Sequence, residues 1–272
     1  MILIVASKKD EAGMNIAQKI IDLYEFRTLS ERFQEDSVYC IKIGDTEVKL
    51  VFIREDSINA QFITDCFDAE LIIFVSRHSS LTGIPTLSVH TPGNLTDETK
   101  IGGIQKKVSV SPASTMKNTL QEMAKMKEEM KLNYKVSYEC THHGPSLDVP
   151  TMFAELGSSP EQWRDLRAAE AVAYAVVNSL HNHPTYPAAL GIGGPHYNEK
   201  FTEIALKTSL AFGHIIPKYA ISSVDASMIQ HCVERTKERV EFAVFDWKGV
   251  RGADRNRLIS IVSSMGLTVK RA

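Results

Sequence analysis

Short apolar runs alternate along this chain with longer stretches whose apolar residues recur at helical spacing, which restricts it to the α/β layer folds. The runs Ile2–Ala6, Val38–Ile43, Val48–Ile53, Leu71–Ser76, Thr86–His90, Lys135–Glu139, Ala188–Ile192 and Val240–Phe245 read as strands. The stretches Glu11–Tyr24, Thr115–Lys131, Pro160–Leu180, Asn198–Ser209 and Val224–Arg235 read as helices. Gly44-Asp45 between the second and third runs is hairpin chemistry, so the sheet is expected to be mixed. No repeat or Gly/Ser/Pro linker divides the chain, and residues 1–272 are expected to form a single domain. The turn-rich stretch Thr91–Pro112 reads as a long functional loop.

The stretch from Pro160 is the best signalled helix. Ser159 is a good N-cap, Pro160 suits the first helical position, and Gln162 completes a capping box. Trp163, Leu166, Ala173, Tyr174, Val177 and Leu180 share one stripe, and Glu170 falls on it. A carboxylate there must be paired, protonated or bound, because an isolated buried charge is very costly. His181-Asn182-His183 ends this helix, where imidazolium suits the dipole, and reads as structural.

With a formal net charge of −2 the chain has no global basic field, so an RNA partner would have to be held by a local patch. Lys106-Lys107 and the helix bearing Lys117, Lys125, Lys127 and Lys131 also carry Glu122, Glu128 and Glu129 at pairing distance, which reads as a solvated face. Asp246-Trp247-Lys248-Gly249, with Arg251, Arg255 and Arg257, is a second candidate for contact with phosphate or a terminal nucleotide. No apolar run approaches the roughly 20 residues of a membrane span, and Ile2–Ala6 is too short for a signal segment. Cys40, Cys66, Cys140 and Cys232 form no C-x-x-C pair, so neither a disulfide framework nor a zinc ribbon is indicated and a reducing cytosol is the expected location.

The chain lacks G-x-x-x-x-G-K-[ST], H-E-x-x-H and G-x-S-x-G, which sets aside P-loop, zincin and serine-hydrolase chemistry. Histidines instead follow predicted strands: His78, His90, His142 with His143, and His196, each near glycine, proline or serine. Ligands of α/β sheets bind beyond the carboxyl ends of strands, so the four loops are expected to meet in one hydrolytic site. On an extended segment His142 and His143 face opposite ways, so one is expected to act directly and the other to orient it. Imidazole suits both zinc and general-base work, and the residues alone do not choose. Glu155 and Glu170 are the candidate carboxylate partners.

Ser76-Arg77-His78-Ser79-Ser80, Val89-His90-Thr91-Pro92-Gly93-Asn94, Thr141-His142-His143-Gly144-Pro145 and Gly193-Gly194-Pro195-His196-Tyr197 together resemble the archaeal and plant type of D-aminoacyl-tRNA deacylase. So do Phe153-Ala154-Glu155-Leu156-Gly157-Ser158, leading into Trp163, and the terminal Asp246-Trp247-Lys248-Gly249. The likeness runs over nearly the whole chain in one order; Thr141 stands where the family usually carries Ser. The resemblance implies a three-layer αβα sandwich around a mixed, mainly parallel sheet, similar to the phosphorylase/peptidyl-tRNA hydrolase group. It implies a zinc-dependent enzyme that hydrolyses the D-aminoacyl ester at the 3′ end of tRNA, with broad side-chain tolerance; a monomer without an obligate protein partner is expected.

On that reading His142, His143, His196 and Glu155 are the expected catalytic groups, with Gly193, Gly194 and Lys248 binding substrate and the two glycines offering N–H groups to an oxyanion. His78, His90 and Glu170 are the expected zinc ligands, an assignment the sequence does not fix. Two alternatives stand beside it: a zinc-dependent amidohydrolase or peptidase acting on small D-amino-acid derivatives, and a non-catalytic protein that binds RNA ends.

Overall fold

The computed structural model describes residues 1–181 and 184–272; Asn182 and His183 lie outside the described residues. In chain order its strands are β1 (Ile2–Ser7), β2 (Arg27–Phe33), β3 (Asp36–Ile43), β4 (Thr46–Ile53), β5 (Leu71–Ser79), β6 (Thr86–His90), β7 (Lys135–Tyr138), β8 (Thr151–Ser158), β9 (Ala188–Ile192), β10 (Ala211–Ile216), β11 (Val240–Phe245) and β12 (Thr268–Arg271). The helices are α1 (Glu11–Leu23), the single turn α2 (Ile63–Cys66), α3 (Ala113–Glu129), α4 (Pro160–Trp163), α5 (Leu166–Asn178), α6 (Glu199–Lys207), α7 (Ala226–Glu234) and α8 (Gly252–Ser264).

An eight-stranded sheet has the order β2-β3-β4-β1-β5-β8-β6-β7, and a separate four-stranded sheet has the order β10-β9-β11-β12. Pairing in the larger sheet is parallel through β4, β1, β5 and β8, with antiparallel joints at β2/β3, β3/β4 and β8/β6. The smaller sheet is wholly parallel. Helices flank the sheets, giving the three-layer αβα sandwich expected for the family the sequence resembles.

One face of the larger sheet carries Ile73, Val75, Leu87, Val89, Ala154 and Leu156 against helices α1, α3 and α5. Helix α1 docks through Ala12, Ile16, Ala17 and Ile20, a stripe at helical spacing, after Asp10 caps it by accepting from Gly13 N–H at 2.9 Å. Burying Ile16 and Ile20 completely contributes about 1.5–3 kcal/mol each. The same apolar cluster takes in Ala189, Phe212, Ile215 and Val244 of the smaller sheet, so the two sheets share a core. The opposite face stacks Phe74 on Phe153, with ring centroids 4.8 Å apart, and Ala60, Ile63 and Leu147 cover it.

Strands β2, β8, β10 and β12 and helix α8 go beyond the elements read from sequence. The single helix expected over Pro160–Leu180 is two. The Ser159/Gln162 capping box forms, but α4 stops after one turn, because Asp165 caps a new helix by accepting from Arg167 N–H (3.0 Å) and Ala168 N–H (3.1 Å). Lys117 is fully buried rather than solvated, donating to the carbonyls of Ala205 and Thr208 (2.6 Å to the latter) at the end of α6. Four other lysines of that patch pair: Lys106 with Asp97, Lys107 with Asp148, Lys125 with Glu122, and Lys127 with Glu128. All four cysteines are free.

Candidate functional site

The histidines meet on a face of the larger sheet, not beyond a common set of strand ends. Strand β6 runs antiparallel to β8, so His90 and His78 leave their strands in opposite directions. The register unites them: Ser76 pairs with Glu155, Phe74 and His90 with Phe153, and His78 with Gly157, which puts these side chains on the Phe74/Phe153 face. Gly157 permits the approach of β5, since a Cβ there would lie 2.0 Å from the His78 carbonyl oxygen. Trp163 Nε1 then donates to that oxygen at 2.8 Å.

The segment after β7 folds back over this face. Gly93 N–H donates to the carbonyls of His142 (3.2 Å) and His143 (2.6 Å), within the Thr91–Pro112 loop. His143 has φ 43°, a left-handed conformation uncommon outside glycine. That turn breaks the alternation of an extended chain, so His142 and His143 do not face apart as expected: their rings are 4.3 Å apart. His142 also lies 4.3 Å from the His90 ring and 4.4 Å from His196. The His142–His143 pair and Ile101 stand between two cavities, of about 540 Å³ and about 670 Å³. Such volumes suit small-molecule or end-group binding.

Glu139, the residue after β7, is the hub that sequence reasoning missed. Its Oε1 lies 3.0 Å from His78 Nδ1, and its Oε2 lies 2.9 Å from His196 Nε2 and 3.8 Å from His142 Nε2. Burial opposes its ionisation, but the two imidazole partners overcome this and hold its carboxyl well below the usual range. Burial likewise works against charge on His78 and His196, yet both are pushed up to about 10, His78 by Glu139 and Glu155 and His196 by Cys140 and Glu139. Glu155 accepts from Ser76 Oγ at 2.7 Å, and burial pushes it up to about 7.

A second group is neutral. Burial pulls His90 and His142 well below the ordinary imidazole value and His143 down to about 4. His142 Nδ1 lies 2.8 Å from the Cys140 carbonyl oxygen and His143 Nδ1 lies 2.7 Å from that of Gly144, which fixes both Nδ1 atoms as donors. The free Nε2 of His143 then sits 3.2 Å from His90 Nε2.

Cys140 Sγ, His196 and Glu139 lie in a row, with Sγ 3.3 Å from His196 Nδ1. The sulfur is fully buried and lines neither cavity, so it orients the imidazole instead of attacking substrate.

His78, His90, His142, His143, His196 and Glu155 are thus brought together, and Glu170 is not. It sits half-buried on α5, paired across to Lys19 of α1 at 3.0 Å, in a helix that starts afresh at Asp165 and does not continue from Trp163. Gly193 and Gly194 adopt positive φ and line neither cavity; the Gly193 N–H donates to Ile216 at 2.8 Å, so it is not free for an oxyanion. Lys248 is exposed on the turn after β11. Arg257 donates to the carbonyls of Val224 and Ile221, a structural role.

Residues 66–270 match the family model for D-aminoacyl-tRNA deacylase. The D-aminoacyl-tRNA deacylase of Methanosarcina acetivorans is 37% identical over 98% of this chain and 91% of its own length. That of Pyrococcus abyssi is 39% identical over 98% of both chains. The crystal structure of a conserved protein of unknown function superposes with a TM-score of 0.90 at 30% identity, covering 100% of this chain and 95% of that one. No helix among the described residues is long and apolar enough to cross a membrane. By match of family model, relatives and architecture, the chain belongs to the D-aminoacyl-tRNA deacylase family.

Proposed function

We propose that this chain hydrolyses the ester between a D-amino acid and the terminal ribose of tRNA, releasing both, as a monomer in the cytosol. The observation that carries the reading is family membership along almost the whole chain; the imidazole–carboxylate cluster supplies the chemistry. Glu155, poised near neutrality, takes the proton of the attacking water. His78 and His196, both beside Glu139 and kept cationic by it together with Glu155 and Cys140, provide positive potential for the developing oxyanion. The His142–His143 wall reads chirality, since the two enantiomers present either a side chain or a hydrogen to it. The amidohydrolase alternative has no observation in its favour.

Zinc is the proposed cofactor, and the neutral trio fits it better than the expected His78, His90 and Glu170. The ligand atoms of His90, His142 and His143 lie within 4.8 Å of one another, and backbone carbonyls orient His142 and His143 through Nδ1. The 3.2 Å approach of two imidazole nitrogens suits a shared cation. Bound there, zinc would supply Lewis-acid polarisation of the ester carbonyl and acidify water. The test is deacylation of matched D- and L-aminoacyl-tRNA with and without chelator. The D-ester should be cleaved far faster, with activity lost on chelation and regained with zinc; equal rates on the two enantiomers would sink the reading.

A further inference from the structure

The smaller sheet is wholly parallel, so all four of its strands end at one edge, and the loops leaving that edge are rich in cations. Lys218 follows β10, Lys248 and Arg251 follow β11, and β12 ends at Arg271. These loops are knit at Gly194: its carbonyl accepts from Lys218 N–H at 3.0 Å, and a Cβ on Gly249 would lie 3.3 Å from its nitrogen. Trp247 holds two guanidinium groups against its ring, Arg255 at 4.3 Å and Arg271 at 3.8 Å from the centroid. The carboxylate of Asp246 at this edge is taken by Lys200. Among the described residues, Lys218, Lys248, Arg251, Arg255 and Arg271 make no ion pair.

A chain of net charge −2 therefore gathers five uncompensated cations on one edge. Unpaired like charges repel one another, and the arrangement is accounted for by a polyanion. A guanidinium laid on an aromatic face keeps most of its N–H rim free for phosphate oxygens, so Trp247 acts as a positioning residue for two such forks. The edge also leads to the site: Pro195 alone separates Gly194 from His196, and Tyr219, 60% exposed next to Lys218, has its hydroxyl 3.4 Å from His196 Nδ1.

We propose that this edge grips the phosphates of the RNA 3′ end that carries the aminoacyl group. The inference rests on the deacylase reading. It is tested by measuring the Kd of uncharged tRNA against salt, for the wild type and for R255A/R271A, K248E/R251E, W247L and W247F, beside deacylation at saturating D-aminoacyl-tRNA. Removing two phosphate contacts should lower the slope of log affinity against log salt by about 1.4–1.8. Kd should rise about tenfold or more at low salt while kcat stays within about twofold. W247L should reproduce the loss of slope and W247F should restore it, which a merely structural tryptophan would not do. Wild-type slope and Kd in both double variants would overturn the inference even where the wild type deacylates. Loss of slope in the variants of a wild type that does not deacylate supports the surface and refutes the deacylase reading alone.

Discussion

Glu139 is where the charges of the site balance, being a buried carboxylate between two imidazolium groups. Glu139→Gln removes the anion that His78 and His196 share, and should lower kcat by about 10²–10⁴-fold. It also takes from His78 and His196 a carboxylate they share, leaving His78 with Glu155 and His196 with Cys140, so a fall in Tm should accompany the loss; unchanged kcat would remove Glu139 from the site. Glu155 gives a sharper signature. Its value near 7 makes the reacting form the ionised one, so kcat/KM should climb as pH rises through about 7 and level off above it. Glu155→Gln should abolish that limb, and an ascending limb that survives would place the base elsewhere. The five histidines were legible because they recur after apolar runs. Glu139 was not, because Ser137 and Glu139 alternate with Val136 and Tyr138 as the solvent side of an ordinary strand would. Its only sequence signal is that it directly precedes Cys140-Thr141-His142-His143.

Strand β8 shows the same effect on a larger scale. It is central in the sheet and buried throughout, yet Glu155 and Gly157 interrupt its apolar pattern, and both are there for the site. Strand β10 is masked similarly by Gly213 and His214, and the exposed β12 by its lysine and arginine. Elements whose residues serve only the core, such as α1 and β1, were read almost to their ends. Gly157→Ala tests the close pairing of β5 with β8. Because the added methyl would meet the His78 carbonyl, overpacking should cost about 1–3 kcal/mol. The displaced His78 should reduce activity beyond what the stability loss explains. A variant with wild-type Tm and turnover would show that the strands separate without consequence.

For the molecule as a whole, six imidazoles, three of them buried and three half-buried, pull stability in two directions. His90, His142, His143 and His214 have folded values below the ordinary 6.5, so the unfolded chain takes up more protons and stability falls as pH drops below 6.5. His78 and His196 have folded values raised to about 10, so their contribution is complete below 6.5 and is lost as pH rises through 10. Each group changes stability by about 1.4 kcal/mol per pH unit within its window. Chelator-treated protein should therefore be most stable near pH 6.5, and a Tm that is flat from pH 5 to 9 would contradict the protonation states assigned here. The division into two sheets was not legible, because the pattern of apolar runs carries no record of which strand ends pair. That division has a temporal consequence. His196 follows β9 of the smaller sheet, all of whose strands come after those of the larger sheet in the chain, whereas Glu139 and His78 come from the larger one. A ribosome making this protein therefore releases the strands of the larger sheet first, and the imidazole of His196 can reach the Glu139 carboxylate only after β9 has followed them out.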